Sequence, residues 1–183
     1  MRGFIGLGSN LGNRQENLIA AIHALKKHHI KILKSSSIYE SKASGVTETQ
    51  PDYLNMVLSI SADLTATEML HICHMIEKSL GRTRPYTNAP RIIDIDILML
   101  DGISVDTDLL KIPHPRMESR AFVIFPLAEI APKLILPSGR PIQKVKETLN
   151  HDEILRYGII KKNVVHTRRS IFLKKRVCRI YEE

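Results

Sequence analysis

Two carboxylates, Asp94 and Asp96, stand two residues apart in the stretch APRIIDIDILML (89–100), which otherwise has the composition of a buried strand. Side chains at i and i+2 of a strand leave the same face about 6 to 7 Å apart. The two acids should therefore project together while Ile93, Ile95 and Ile97 turn into the core. Paired anions repel, and in a partly dry cleft one is driven toward its neutral form unless a cation neutralises both. A divalent metal meets that need, and Asp94 and Asp96 are its candidate ligands. Magnesium suits the pattern because it keeps several waters and takes only one or two protein carboxylates, leaving positions for phosphate oxygens. The competing reading of D-x-D is a pair of salt bridges on a solvated sheet face, which contribute little.

The flanking sequence favours the phosphate reading. GRTRPYTNAPR (81–91) places Arg82, Arg84 and Arg91 within eleven residues, and IPHPRMESRAF (112–122) adds His114, Arg116, Arg120 and Phe122. Guanidinium forks grip phosphate through paired N–H donors, and arginines set against metal-holding acids form a charge-balanced site for a transferring phosphoryl group. A lone histidine in such a loop is ordinarily structural, but here arginines accompany it. Tyr53 and Phe122 are candidate plates for a flat ring, and Asn55 offers a donor and an acceptor at that ring's edge; each taken alone would read as a core residue.

The elements that must position these groups can be read from periodicity. RGFIGL is a strand ending at the turn Gly8-Ser9-Asn10, and ENLIAAIHAL a helix with Leu18, Ile22 and Leu25 on one face. IKILKSSSIY reads as a second strand, and SKASGVTETQ (41–50) as a loop. From Leu54, Met56, Leu58, Ile60, Ala62 and Leu64 share one strand face, leaving Tyr53, Asn55 and Val57 on the other. Thr65-x-x-Glu68 is a capping box for a helix with Met69, Cys73, Ile76 and Leu80 inward and a stop at Gly81. Leu70, His74 and Glu77 form a second row along that helix. ESRAFVIFPLAEIA (118–131) should be helical with an interruption at Pro126, and residues 133–150 a short strand and a short helix. One-faced strands indicate antiparallel pairing. The expected fold is α+β: a sandwich related to the ferredoxin-like plan around a mainly antiparallel sheet.

Composition sets the outer bounds. The chain has 183 residues, 43% hydrophobic and 25% charged, enough for a substantial core in one domain. No apolar run is long enough for a signal peptide or membrane span, and Cys73 and Cys178 form no C-x-x-C pair, so a cytoplasmic protein is expected. Of the net charge of +8, residues 161–183 supply eight Lys/Arg against two Glu, leaving 19 against 17 in residues 1–160. The near-balanced body argues against nucleic acid as the partner. Residues 1–155 are expected to form the main domain, with 156–183 as a basic extension that is solvated or docks through Ile171-Phe172-Leu173 or Ile180-Tyr181.

Five motifs occur in order: GLGSNLGNR (6–14), QPDYLNMV (50–57), GRTR (81–84), PRIIDIDIL (90–98) and PHPRMESRAFVIFPLAEIAP (113–132). Together they resemble the 6-hydroxymethyl-7,8-dihydropterin pyrophosphokinases of folate synthesis, over about residues 2–145. The resemblance implies a single three-layer α-β-α domain and transfer of an intact diphosphate from ATP to the pterin's hydroxymethyl oxygen, with two magnesium ions held by Asp94 and Asp96. It implies that Arg82, Arg84, Arg91, His114 and Arg120 surround the nucleotide, with Leu70, His74, Glu77 and Ile97 beside it. Asp94, Asp96, Arg82 and Arg91 would be the catalytic set. Tyr53 and Phe122 would sandwich the pterin, Asn55 would bond its edge, and Gly8, Ser41 and Ala43 would line its pocket. A monomer is expected. The chain departs from the family's usual pattern at Thr87, Asn88 and Ala89, at Pro115 and Arg116, and at His74, where glutamine is frequent.

Two other classes give different expectations. Nucleotidyltransferases also use Gly-Ser followed by D-x-D, but with one helix between them, whereas Ser9 and Asp94 are 85 positions apart. A role centred on the basic extension would give salt-sensitive binding to nucleic acid or anionic lipid.

Overall fold

A computed structural model of the protein describes residues 1–43, 50–82, 86, 89–151 and 154–160. In chain order the elements are β1 (Arg2–Ser9), α1 (Arg14–Lys27), β2 (Lys31–Ser35), β3 (Ile38–Ser41), β4 (Tyr53–Ser61), α2 (Ala66–Ser79), β5 (Asp94–Leu100), β6 (Val105–Asp106), β7 (Lys111–Ile112), a 3-10 turn (Met117–Ser119), α3 (Ala121–Ile130), α4 (Ile142–Thr148) and β8 (Ile154–Gly158).

The main sheet runs β5-β1-β4-β3-β8, with β2 also on β4, and its strand pairs are antiparallel. Alternation along β4 decides what covers each face. Leu54, Met56, Leu58 and Ile60 pack with α1 and α2 residues such as Leu18, Leu25, Met69 and Ile76. Val57, with Leu98 of β5, packs with Val123, Ile124 and Leu127 of α3 and with Ile142 and Val145 of α4. Helices therefore cover both faces, and with β2 and β3 counted as one interrupted strand along β4 the order from β1 to β5 is βαββαβ, the ferredoxin-like plan within an α-β-α sandwich, as expected. α2 begins at the anticipated capping box: Thr65 accepts from the Glu68 N–H, and the Glu68 side chain accepts from the Thr65 N–H. Among the described residues no helix is long and apolar enough to cross a membrane.

Three details differ from the sequence expectations. IKILKSSSIY forms two strands, because Ser36 interrupts the ladder: its hydroxyl accepts from the Val57 N–H at 2.9 Å and donates to the Ser37 carbonyl at 2.7 Å. α3 is continuous through Pro126. The proline removes one backbone donor, yet eight of the ten helix residues are buried, so packing holds the turn. The boundary expected at residue 155 falls inside β8, which pairs with β3 as far as Gly158.

On the α3 side, Glu129 joins that last strand to the body. Its carboxylate accepts from the Ser37 N–H (3.1 Å), the Ser37 hydroxyl (2.8 Å) and the Tyr39 hydroxyl (2.9 Å), while Arg156 of β8 donates to Ser37 Oγ at 2.7 Å.

Candidate functional site

The face of the sheet that α3 covers extends beyond the end of that helix, and there it forms the floor of a cavity of about 600 Å³, a volume typical of small-molecule sites. Strand parity determines the floor. Asp94, Asp96 and Leu98 of β5 share this face with Tyr53, Asn55 and Val57 of β4. Between them runs β1, where Gly6 pairs with Asp96 and with Val57, and Gly8 pairs with Asp94 and with Asn55. The central strand thus presents glycines between two polar strands, leaving room above the sheet. A Cβ on Gly8 would come 3.2 Å from Asn55 Oδ1, 3.8 Å from Tyr53 Cδ1 and 4.0 Å from Asp94 Cβ.

The acids face arginines, as the sequence pattern suggested. Arg82 Nη1 donates to Asp94 Oδ1 at 2.5 Å, Arg91 Nη1 to Asp94 Oδ2 at 2.6 Å, and Arg120 Nη1 to Asp96 Oδ2 at 3.4 Å. Burial, and then the neighbouring Asp94 carboxylate, push Asp96 up to about 6. Arg82 follows the left-handed Gly81 at the end of α2 and also pairs with Glu77. Arg91 is fixed from its backbone: its N–H donates to Asn10 Oδ1 at 2.7 Å, and its carbonyl accepts from the Asn10 N–H at 3.1 Å. Its guanidinium carbon lies 5.9 Å from the Tyr53 ring centre, and that of Arg120 lies 5.4 Å from the Phe122 ring centre.

His114 is set by its backbone N–H donating to the Leu98 carbonyl at 2.8 Å, and its Nδ1 accepts from the Arg116 N–H at 3.1 Å. Burial and the nearby Arg120 and Arg116 lower its pKa. The ring is therefore neutral near pH 7 and carries its proton on Nε2. Asn55 is buried, and its Nδ2 donates to Ser41 Oγ at 2.9 Å, which orients its Oδ1 toward Gly8.

Of the residues singled out from sequence, Gly8, Ser41, Tyr53, Leu70, His74, Glu77, Arg82, Arg91, Asp94, Asp96, Ile97, His114, Arg120 and Phe122 all line the cavity. Asn55 lies just beneath it. Ala43 is not among the lining residues, and Arg84, with Thr87 and Asn88, falls outside the described residues. Arg116, one of the arginines counted toward the phosphate reading, lines it too, and Lys42, the segment Asp108–Lys111, Pro115 and Val123 also line the cavity and were not assigned to it from sequence. Asn10, read only as part of a turn, is a buried amide that ties the first loop to Arg91. Its signal was the placement of a polar side chain between a strand and a helix, where burial obliges it to find partners.

Whether the site suits a magnesium-bound nucleotide can be judged from its donors. Among the described residues no group of three or more His, Cys, Asp or Glu could hold a metal. One or two carboxylates are what magnesium takes when phosphate and water complete its shell, and the arginines beside them supply donors for the phosphate. Arg82 Nε is buried and has no hydrogen-bond partner, a spare donor on the same guanidinium that pairs with Asp94. The residues present fit the group.

Comparison with known proteins follows the same line. The sequence model of the family described as 7,8-dihydro-6-hydroxymethylpterin-pyrophosphokinase (HPPK) matches residues 4–132. The chain is 42% identical over 144 residues, 78% of its length and 89% of the relative's, to a protein of Aquifex aeolicus named 2-amino-4-hydroxy-6-hydroxymethyldihydropteridine pyrophosphokinase. It is 43% identical over 128 residues, 69% of its length and 76% of the relative's, to a protein of the same name from Bacillus subtilis. A solved HPPK-DHPS structure in complex with substrates superposes with a TM-score of 0.65 over 85% of this chain, at 14% identity, and shares the fold. The chain spans 46% of that larger protein.

Proposed function

The chain belongs to the 7,8-dihydro-6-hydroxymethylpterin-pyrophosphokinase family, and on that premise we propose that the cavity over β1, β4 and β5 is where it transfers the diphosphate of ATP to the hydroxymethyl group of 6-hydroxymethyl-7,8-dihydropterin, giving AMP and the pterin diphosphate. The observation that supports this assignment is that one cavity brings together two kinds of group. Asp94 and Asp96 with Arg82, Arg91 and Arg120 supply the charge, while Tyr53, Phe122 and Ser41, whose hydroxyl accepts from the buried Asn55 amide, supply two rings and a polar edge.

In this reading Asp94 and Asp96 hold two magnesium ions with the nucleotide. The metal supplies charge neutralisation on the phosphates and a lowered pKa for the attacking hydroxyl. Arg82, Arg91 and Arg120 bind the phosphate oxygens and orient the chain in line with the pterin oxygen, so positioning provides most of the rate. Leu70, His74, Glu77, Ile97 and His114 border the nucleotide, and the neutral His114 donates from Nε2. Tyr53 and Phe122 pack on the two faces of the pterin, while Asn55 Oδ1 accepts at its edge beside Gly8. No side chain is assigned as a general base; Asp94 and Asp96 are the nearest candidates to accept the hydroxyl proton. The catalytic unit runs through Gly158, works as a monomer in the cytoplasm, and does not use the 161–183 segment for turnover.

The assignment is tested by separating nucleotides after incubation of the full chain with ATP, magnesium and the hydroxymethyl dihydropterin. AMP in step with pterin diphosphate is expected. ADP as the sole nucleotide product, or release of inorganic pyrophosphate without pterin diphosphate, would overturn it.

A further inference from the structure

Glu77 is the most deeply buried acid among the described residues, with 3% of its surface exposed, and it lies in the last turn of α2 beside the charged groups of the cavity. Its Oε1 accepts from the Ile95 N–H at 2.8 Å and pairs with Arg82 Nη1. β5 is the outermost strand of the sheet, so the carboxylate occupies a place where no neighbouring strand could take the Ile95 N–H. It pins the backbone between the two aspartates. Arg82 is bound to it twice, because the Arg82 N–H also donates to the Glu77 carbonyl at 3.0 Å.

The same Arg82 Nη1 reaches Asp94 Oδ1, and Arg91 takes Asp94 Oδ2, so both oxygens of Asp94 are engaged by guanidinium groups. A cation arriving at Asp94 therefore meets two competing positive charges on the same carboxylate. Arg91 has other anchors, in the Ala89 carbonyl at 3.2 Å from its Nε and in its backbone bonds to Asn10. Arg82 has Glu77. We propose that Glu77 is a positioning residue that keeps Arg82 in the cavity when Asp94 exchanges that arginine for a metal ion, so that the arginine does not compete with the cation for the carboxylate. This inference rests on the pyrophosphokinase reading and changes what Glu77 does within it: the side chain acts through Arg82 and the strand backbone, with no contact to the nucleotide required.

The test variant is Glu77→Gln, which keeps an oxygen for the Ile95 N–H and removes only the charge. Two readouts are needed: the magnesium dependence of AMP formation, and calorimetric titration of magnesium into the protein loaded with a non-hydrolysable α,β-methylene analogue of ATP. Loss of the charge should raise the magnesium concentration for half-maximal rate, and weaken magnesium in the titration, by about tenfold, as expected when a buried charge pair loses one partner. The KM for the pterin should stay within about twofold. In an Arg82→Gln background the additional Glu77→Gln change should cost nothing further, since coupled groups are not additive. That pair of variants also leaves neither buried charge alone, so it decides the matter if Glu77→Gln by itself does not fold. A magnesium profile and titration that match the unaltered protein, a rise in ATP KM alone, or multiplicative losses in the double variant would overturn the proposal. An unaltered protein that makes no AMP would instead remove the reading on which it rests.

Discussion

Gly8 and Asn55 face each other across the β1–β4 pair so closely that a methyl group on Gly8 would stand 3.2 Å from Asn55 Oδ1. The Asn55 amide cannot retreat freely, because its Nδ2 is committed to Ser41. Gly8→Ala should therefore turn the amide without unfolding the sheet. Pterin affinity, measured by calorimetry, should fall about tenfold through the lost edge contact, with ATP affinity near that of the unaltered protein.

Asp94→Ala removes the shared partner of two guanidinium groups whose side chains are only 10% and 17% exposed. Unpaired charge near a protein interior is costly, so stability to urea should drop by about 2 kcal/mol. Turnover should be lost as well.

Asp96 should behave oppositely. Its pKa is raised to about 6, from an ordinary carboxylate value, by burial and by Asp94. A raised pKa in the folded protein means that the fold is favoured fully below the unfolded value near 4 and loses that advantage as pH climbs through 6. At pH 7.5 the metal-free protein therefore carries a net penalty at this position. Water reaches 38% of the side chain, which screens the effect, so Asp96→Asn should stabilise the metal-free protein by about 1 kcal/mol while abolishing AMP formation. Calorimetric melting at pH 5 and pH 7.5 checks the sign: the gain should shrink at the lower pH. Under the proposed assignment of Asp96 as a magnesium ligand, magnesium affinity of the unaltered protein should likewise weaken as pH falls through 6, because a ligating carboxylate must be deprotonated.

Glu129→Ala tests the far side of the molecule. Three donors from Ser37 and Tyr39 lose their acceptor, which should cost about 2 kcal/mol. Burial and the hydrogen bond to Glu129 hold the Tyr39 phenol up at about 12; in the variant, alkaline absorbance titration should find it moved back toward 10. The stability linked to that group is complete below pH 10 and is lost toward pH 12 in the unaltered protein.

The fold was largely legible because its periodicities are strong: alternation in β4 and β5 and the capping box of α2 each predict an element that forms. The site was legible for a related reason, since side chains two apart on a strand must share a face, which brings Asp94 with Asp96 and Tyr53 with Asn55. What sequence could not supply was partnership across the chain. Asn10 meets Arg91 from 81 positions away, and Glu77 meets the Ile95 N–H at the sheet edge. Neither contact has a local pattern. Ser36 and Pro126 show the converse, with local rules outweighed by a side-chain hydrogen bond in one case and by burial in the other.

β8 has a consequence for how the chain is made. Ser41, on the rim of the cavity, belongs to a strand whose outer side is paired by Ile154–Gly158, so residues delivered early in synthesis wait for a partner delivered more than a hundred residues later. The acids, the arginines and Phe122 are all in hand before that strand emerges from the ribosome. Until it does, β3 presents an open edge to any other extended chain nearby. A message truncated before codon 154 would therefore yield a protein with Asp94, Asp96 and their arginine partners all made and a strand edge exposed to aggregation.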